Sequence, residues 1–111
     1  MMSNVYVPQE PSRFDPTYNM WLPMVNLSHA EQFGKVIVML PANVTAIMMT
    51  PIVTALKEKL ATFCDDDYLV ALGDPSLIAA ASGIILRNHS RMNLLKWDKR
   101  AKKYSVVEIK L

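Results

Sequence analysis

Twice in this sequence an apolar run of strand length is followed by a helix-start signal and a helical pattern, and that repetition constrains the fold more than any other feature. Lys35–Leu40 (KVIVML) is rich in β-branched residues and bounded by Gly34 and Pro41, which reads as a buried central strand. Beyond it, Ile52, Val53, Leu56, Leu60 and Phe63 fall at helical spacing, with Lys57, Glu58 and Lys59 on the other side. The spacing predicts a helix over Thr50–Phe63. Thr50 would cap its free amides, and Pro51 would take the first helical position, where a missing N–H costs nothing. The second pass is Tyr68–Leu72 (YLVAL), then Asp74 as cap, Pro75, and a helix to about Asn88. Gly83 and its neighbouring alanines are expected to let this helix lie close to the sheet.

Two further strands, Met92–Trp97 and Tyr104–Leu111, flank the polar turn DKRAKK, and Val5–Val7 is a short β-like run closed by Pro8. Strands alternating with helices imply parallel pairing through right-handed crossovers, with the last hairpin as an antiparallel edge. The expected fold is therefore α/β: a single small mixed sheet with a βαβαβ core, a C-terminal antiparallel hairpin and a long N-terminal covering segment. Lys35–Leu40, Tyr68–Leu72 and Met92–Trp97 would be its central strands, with Val36, Val38, Leu69, Ala71, Ile78, Ile85 and Leu94 buried. A chain of 111 residues, 51% of them hydrophobic, is expected to be one domain, 1–111, that folds without metals or disulfides.

Residues 10–33 break the pattern. Pro11, Pro16 and Pro23 stand among Phe14, Tyr18, Met20, Trp21, Leu22 and Met24, and only SHAEQF near the end can form a helical turn, capped by Ser28. Irregular segments this long are functional or disordered, and the apolar content argues against disorder. If both helices cover one face of the sheet, this segment is the unassigned apolar material able to cover the other. It is expected to act partly as a lid and partly as a binding surface. Phe14, Tyr18, Met20 and Trp21 are the partner-binding candidates, because aromatic and methionine side chains make adaptable, strong interface contacts.

Signals for chemistry are weaker. A phosphate cradle needs several glycines and free amides at a helix start, but Gly73 is alone, Pro75 removes an amide and Asp74 would repel a phosphate. Asp74 reads as a cap. Asp65, Asp66 and Asp67 enter the strand that Asp74 leaves, roughly 17 Å away, so the two groups cannot share a cation, and the three acids read as a solvated loop. Cys64 beside Phe63 reads as core, and nothing in the spacing of Cys64, His29 and His89 recommends a nucleophile and base. No catalytic residue, cofactor or metal is expected, and a binding protein is favoured over an enzyme.

Net charge is only +2, yet eight of the twelve basic residues lie between Arg87 and Lys110. Lys96, Lys99, Arg100, Lys102 and Lys103, with Trp97 and Tyr104, resemble a nucleic-acid-binding ribbon; the plainer reading is a charged turn that protects an edge strand. No uncharged apolar run reaches the roughly 18 residues of a membrane span, and no signal peptide is evident, so a cytoplasmic protein is expected.

The strings NLSHAEQFGKVIVML, DDDYLVALGDPSLIAAASGI and LLKWDKRAKKY resemble those of small accessory proteins of tailed bacteriophages, over most of the chain from Val5 onward. That family brings no assigned activity. The resemblance implies a non-enzymatic accessory protein in the host cytoplasm that binds and modulates a host protein. The alternatives are weak nucleic-acid binding by the basic hairpin and small-ligand binding near Asp74. A homodimer is compatible with the sequence, and no membrane partner is expected.

Overall fold

A computed structural model describes residues 3–23, 27–44 and 49–111; Met24 lies outside the described residues. Its strands are β1 (Asn4–Gln9), β2 (Ser12–Asp15), β3 (Met20–Pro23), β4 (Lys35–Leu40), β5 (Tyr68–Val70), β6 (Arg91–Asp98) and β7 (Lys103–Lys110). A 3-10 helix spans Leu27–Phe33, and two α-helices follow, α1 (Met49–Lys59) and α2 (Pro75–Asn88). The main sheet has the order β4-β1-β5-β6-β7, parallel from β4 to β6 and closed by the antiparallel β6–β7 hairpin. The mixed α/β sheet expected from the sequence is present, and its three long apolar strands share it.

Their placement differs from expectation. Lys35–Leu40 is an edge strand, and the short run at Val5 occupies an interior position, with Val5, Tyr6 and Val7 fully buried. An apolar run does not report that both edges of a strand are paired, and here one of its faces is only partly covered. Ile37 and Met39 pack in the cluster with α1 and α2, Val36 packs in the opposite one, and Val38 is exposed. β1 also continues through Pro8. Its register with β4 pairs Val7 with Val38 and Gln9 with Leu40, bracketing the proline, and its pairing with β5 has already ended at Tyr6.

Both α-helices cover one face, where Ile52, Leu56, Leu60, Phe63, Leu77, Ala81 and Ile85 meet Tyr6, Leu69 and Met92. On the other face Ala30, Leu27 and Phe33 of the 3-10 helix pack with Val5, Val7, Val70, Leu95 and Tyr104. The covering role expected for residues 10–33 thus falls to their last seven, Leu27–Phe33. The earlier part is not irregular: β2 and β3 pair as a separate antiparallel sheet.

Several local readings change. Thr50 is the second residue of α1 rather than its cap, and Pro51 is the third, still within the first turn where N–H groups have no helical partner. The α-helix ends at Lys59, and turns carry Leu60 and Phe63 into the core. Leu69 and Ile85 are buried, whereas Val36, Ala71, Ile78 and Leu94 are half-buried. Gly83 is exposed with open space around it, so it is no close-packing position. Cys64 is exposed, because the turn after Phe63 points it away from the core that Phe63 enters.

Candidate functional site

The four apolar side chains singled out in the sequence all lie on the β2–β3 hairpin, Phe14 and Trp21 on one face and Met20 on the other. Phe14 and Trp21 are directly opposed across the strands and touch edge to face at 5.7 Å between ring centroids. Asp15 and Met20 form the next pair, and Tyr18 sits in the loop between the strands. The loop has a local cause. The Asp15 carboxylate accepts a 2.8 Å hydrogen bond from the Thr17 N–H, Pro16 follows it, and Asn19 takes the left-handed conformation with φ 51°, which asparagine tolerates. All four side chains face solvent: Phe14 is 46% exposed, Tyr18 70%, Met20 50% and Trp21 44%.

A second hairpin loop repeats this construction. Asp98 Oδ1 accepts hydrogen bonds from the N–H groups of Arg100 and Ala101 at 2.9 and 3.1 Å, and Lys102 occupies the left-handed position with φ 52°. Lysine fits there less readily than Asn19 does in the first loop. A cavity of about 430 Å³ lies beside this turn, lined by Lys96, Trp97, Asp98, Lys99, Arg100 and Ser105. Trp97 is held by His29 and Tyr104, at centroid distances of 5.3 and 5.0 Å.

The basic cluster divides in two. Arg91 reaches Asp66 and Glu108, and Lys110 reaches Glu108. The hydrogen bond and charge of Lys110, with Arg91 beside it, hold the Glu108 carboxyl below its usual range. Among the described residues Lys96, Lys99, Arg100, Lys102 and Lys103 make no ion pair, and the one carboxylate among them, Asp98, is engaged by the turn.

At the carboxyl ends of β1 and β5, Asp74 caps α2 as expected. Its backbone is extended and its carboxylate accepts from the Ser76 N–H at 2.8 Å. Gly73, at φ 106°, lies against the side chain of Gln9. The Gln9 amide in turn donates to the carbonyls of Pro41, Ala42 and Val44, tying the end of β1 to the loop after β4. The remaining candidates are dispersed. His29 packs at a tilt against Trp97 on the 3-10 side, whereas His89 packs against Phe63 on the α-helical side, 2.6 Å from Asp65. No group of three or more His, Cys, Asp or Glu suited to a metal occurs among the described residues.

Comparison with protein families matches residues 3–111 to the model described as Phage Pam3 gp32-like protein. The chain belongs to the Phage Pam3 gp32-like protein family. The match spans both hairpins, so neither is an appendage outside the family's domain. No curated protein and no solved structure matches the chain.

The protein also uses residues that the sequence did not mark. Asp67, read as part of a solvated loop, is buried, and its carboxylate accepts from the N–H groups of Asn4 and Cys64, both at 2.8 Å. It fastens the start of β1 to the loop before β5. Three consecutive aspartates look alike in sequence; only the register of the strand decides which one turns inward. Gln9 likewise lacks a motif, and no local signal could have found it. The β2–β3 hairpin did carry one: Asp15-Pro16 and Asn19 at the ends of a short polar loop between two apolar pairs. No helix among the described residues is long and apolar enough to cross a membrane.

Proposed function

We propose that this phage protein is a non-enzymatic accessory factor that binds and modulates a host protein, using the β2–β3 hairpin as its contact surface. One observation carries the reading: four large apolar side chains, Phe14, Tyr18, Met20 and Trp21, are exposed on one short hairpin that pairs mainly with itself. A two-stranded ribbon is marginal alone in water, and leaving its aromatic pair wet forgoes the burial that would stabilise it. A partner that covers the hairpin supplies that burial. Aromatic and methionine anchors of this kind dominate interface energies. Membership of a phage family supports a host protein as the partner.

The test is alanine replacement at these four positions, singly and together, with thermal melting and capture of host protein measured on the same samples. Each aromatic replacement is expected to weaken capture by about 2 kcal/mol, roughly thirtyfold in Kd, with melting unchanged. Capture that survives the quadruple replacement sinks the reading, and loss of folding would show that the hairpin is structural. Sedimentation of the wild type identifies the case in which the hairpin's partner is a second copy.

A further inference from the structure

We propose that the valley between α1 and α2 is a docking groove for an acidic amphipathic helix of a partner protein, a second contact surface independent of the β2–β3 hairpin. The groove encloses about 590 Å³ on the outer side of the helical layer. Leu60 is buried and Val53, Ala80 and Ile84 are half-buried, so these four form an apolar floor. One cation stands on each side, Lys57 from α1 and Arg87 from α2, and no carboxylate among the described residues lines the groove. Neither cation makes an ion pair among the described residues. Cations in the last turn of a helix offset its dipole, but that end carries only about half a negative charge. An apolar trough with a positive charge on both sides is complementary to an apolar stripe flanked by acids.

Two features of α2 have no use inside the fold. From Pro75 to Leu86 the helix holds no charged residue, although only Leu77, Ala81 and Ile85 are buried. A surface helix ordinarily turns a charged face to water, and one that is apolar all round is covered on every side. The other feature is Gly83, which lines the groove with nothing within 4 Å of the place a Cβ would take. Glycine inside a helix is less stable than alanine, and here neither a positive φ nor a close neighbour in the chain demands it. The space it keeps clear is where a partner's backbone would enter. From Ala80 to Asn88 the groove runs about 12 Å, two turns of a helix, which is the length read by anchors three and four residues apart. A second copy fits less well: α1 and α2 together carry Lys57, Lys59 and Arg87 against the single acid Glu58, so the same face brings like charge. A lipid surface would need apolar side chains that project, and none of the strongly exposed large ones among the described residues lies on α1 or α2.

The probe is a synthetic helical peptide of about 16 residues, with leucine and alanine along one stripe and glutamate on both flanks, beside a twin in which lysine replaces glutamate. Amide chemical shifts of the isotope-labelled protein locate the contact residue by residue. Shifts should move on α1 and α2 and stay fixed on β2 and β3, with the glutamate peptide at least about tenfold tighter than its twin. Exchanging both cations, Lys57→Glu with Arg87→Glu, should reverse that preference. Gly83→Ala should raise the melting temperature yet weaken binding about threefold. Gly83→Leu, whose side chain enters open space, should keep the fold and weaken binding at least about tenfold. Alanine at Phe14 and Trp21 should change neither value, which separates failure here from failure of the hairpin reading. Absence of binding, equal binding of the two peptides, binding indifferent to Gly83→Leu, or shifts outside the groove would overturn the assignment. So would either of two other occupants: a dimer in sedimentation that Gly83→Leu dissociates, or attachment to phosphatidylglycerol vesicles that Lys57→Glu with Arg87→Glu abolishes.

Discussion

The hydroxyl of Tyr104 is buried in the cluster that holds Val5, Val70 and Leu95, and it has no hydrogen-bond partner. An unsatisfied buried hydroxyl costs about 1–3 kcal/mol, so Tyr104→Phe is expected to stabilise the fold by about 1 kcal/mol, a rise of roughly 4 °C in melting temperature. The same burial raises the Tyr104 pKa above its ordinary 10.0. The unfolded chain therefore releases this proton first as pH rises. Stability is full below pH 10.0, falls above it, and the Phe variant should lose that part of the alkaline decline in a pH series of melts. Asp67 is the opposite case, a buried carboxylate with both of its backbone donors in place. Asp67→Ala orphans the N–H groups of Asn4 and Cys64 and should cost about 3 kcal/mol in urea unfolding; a loss below about 1 kcal/mol would show that water replaces the carboxylate.

At the scale of elements, glycines separate what is required from what is tolerated. Gly34 has φ 152°, and a Cβ there would collide with the carbonyl of Ser3, which accepts the Lys35 N–H where β4 begins beside β1. Gly34→Ala should destabilise by more than about 2 kcal/mol. Gly83 lies within α2 with nothing near its missing side chain, so Gly83→Ala should stabilise by about 0.5–1 kcal/mol. Urea midpoints of the two variants must move in opposite directions. Elements with a period or a cap were legible in the sequence: β5, α2 with its Asp74 cap, and the β6–β7 hairpin stand where expected. Position within the sheet was not legible, because the apolar run at Lys35 is silent about which edges are paired. The four exposed side chains of the hairpin were visible by composition, but the β2–β3 pairing that displays them was hidden behind three prolines that read as irregular chain.

For the whole molecule, the two hairpins share one rim. β1, β5 and β6 run parallel, so the chain leaves β1 toward β2 and leaves β6 toward β7 at the same end of the sheet, with only β5 between them. That places the carboxyl ends of β1 and β6 about 10 Å apart, since neighbouring strands lie about 4.8 Å from one another. The radius of gyration is 14.0 Å, against roughly 13 Å for a typical domain this long. Stability should follow the same division. The amides of Val5, Leu69 and Leu95 belong to interior strands covered on both faces and should exchange with solvent only through global unfolding. Those of β2 and β3 depend on a two-stranded ribbon with little tertiary support, so they should exchange at least about a hundredfold faster. Hydrogen exchange read residue by residue measures both at once. A bound protein partner should slow exchange in β2 and β3 selectively. If the free hairpin were already as protected as β1, it would be part of the cooperative core, and its exposed aromatic pair would no longer argue for a partner.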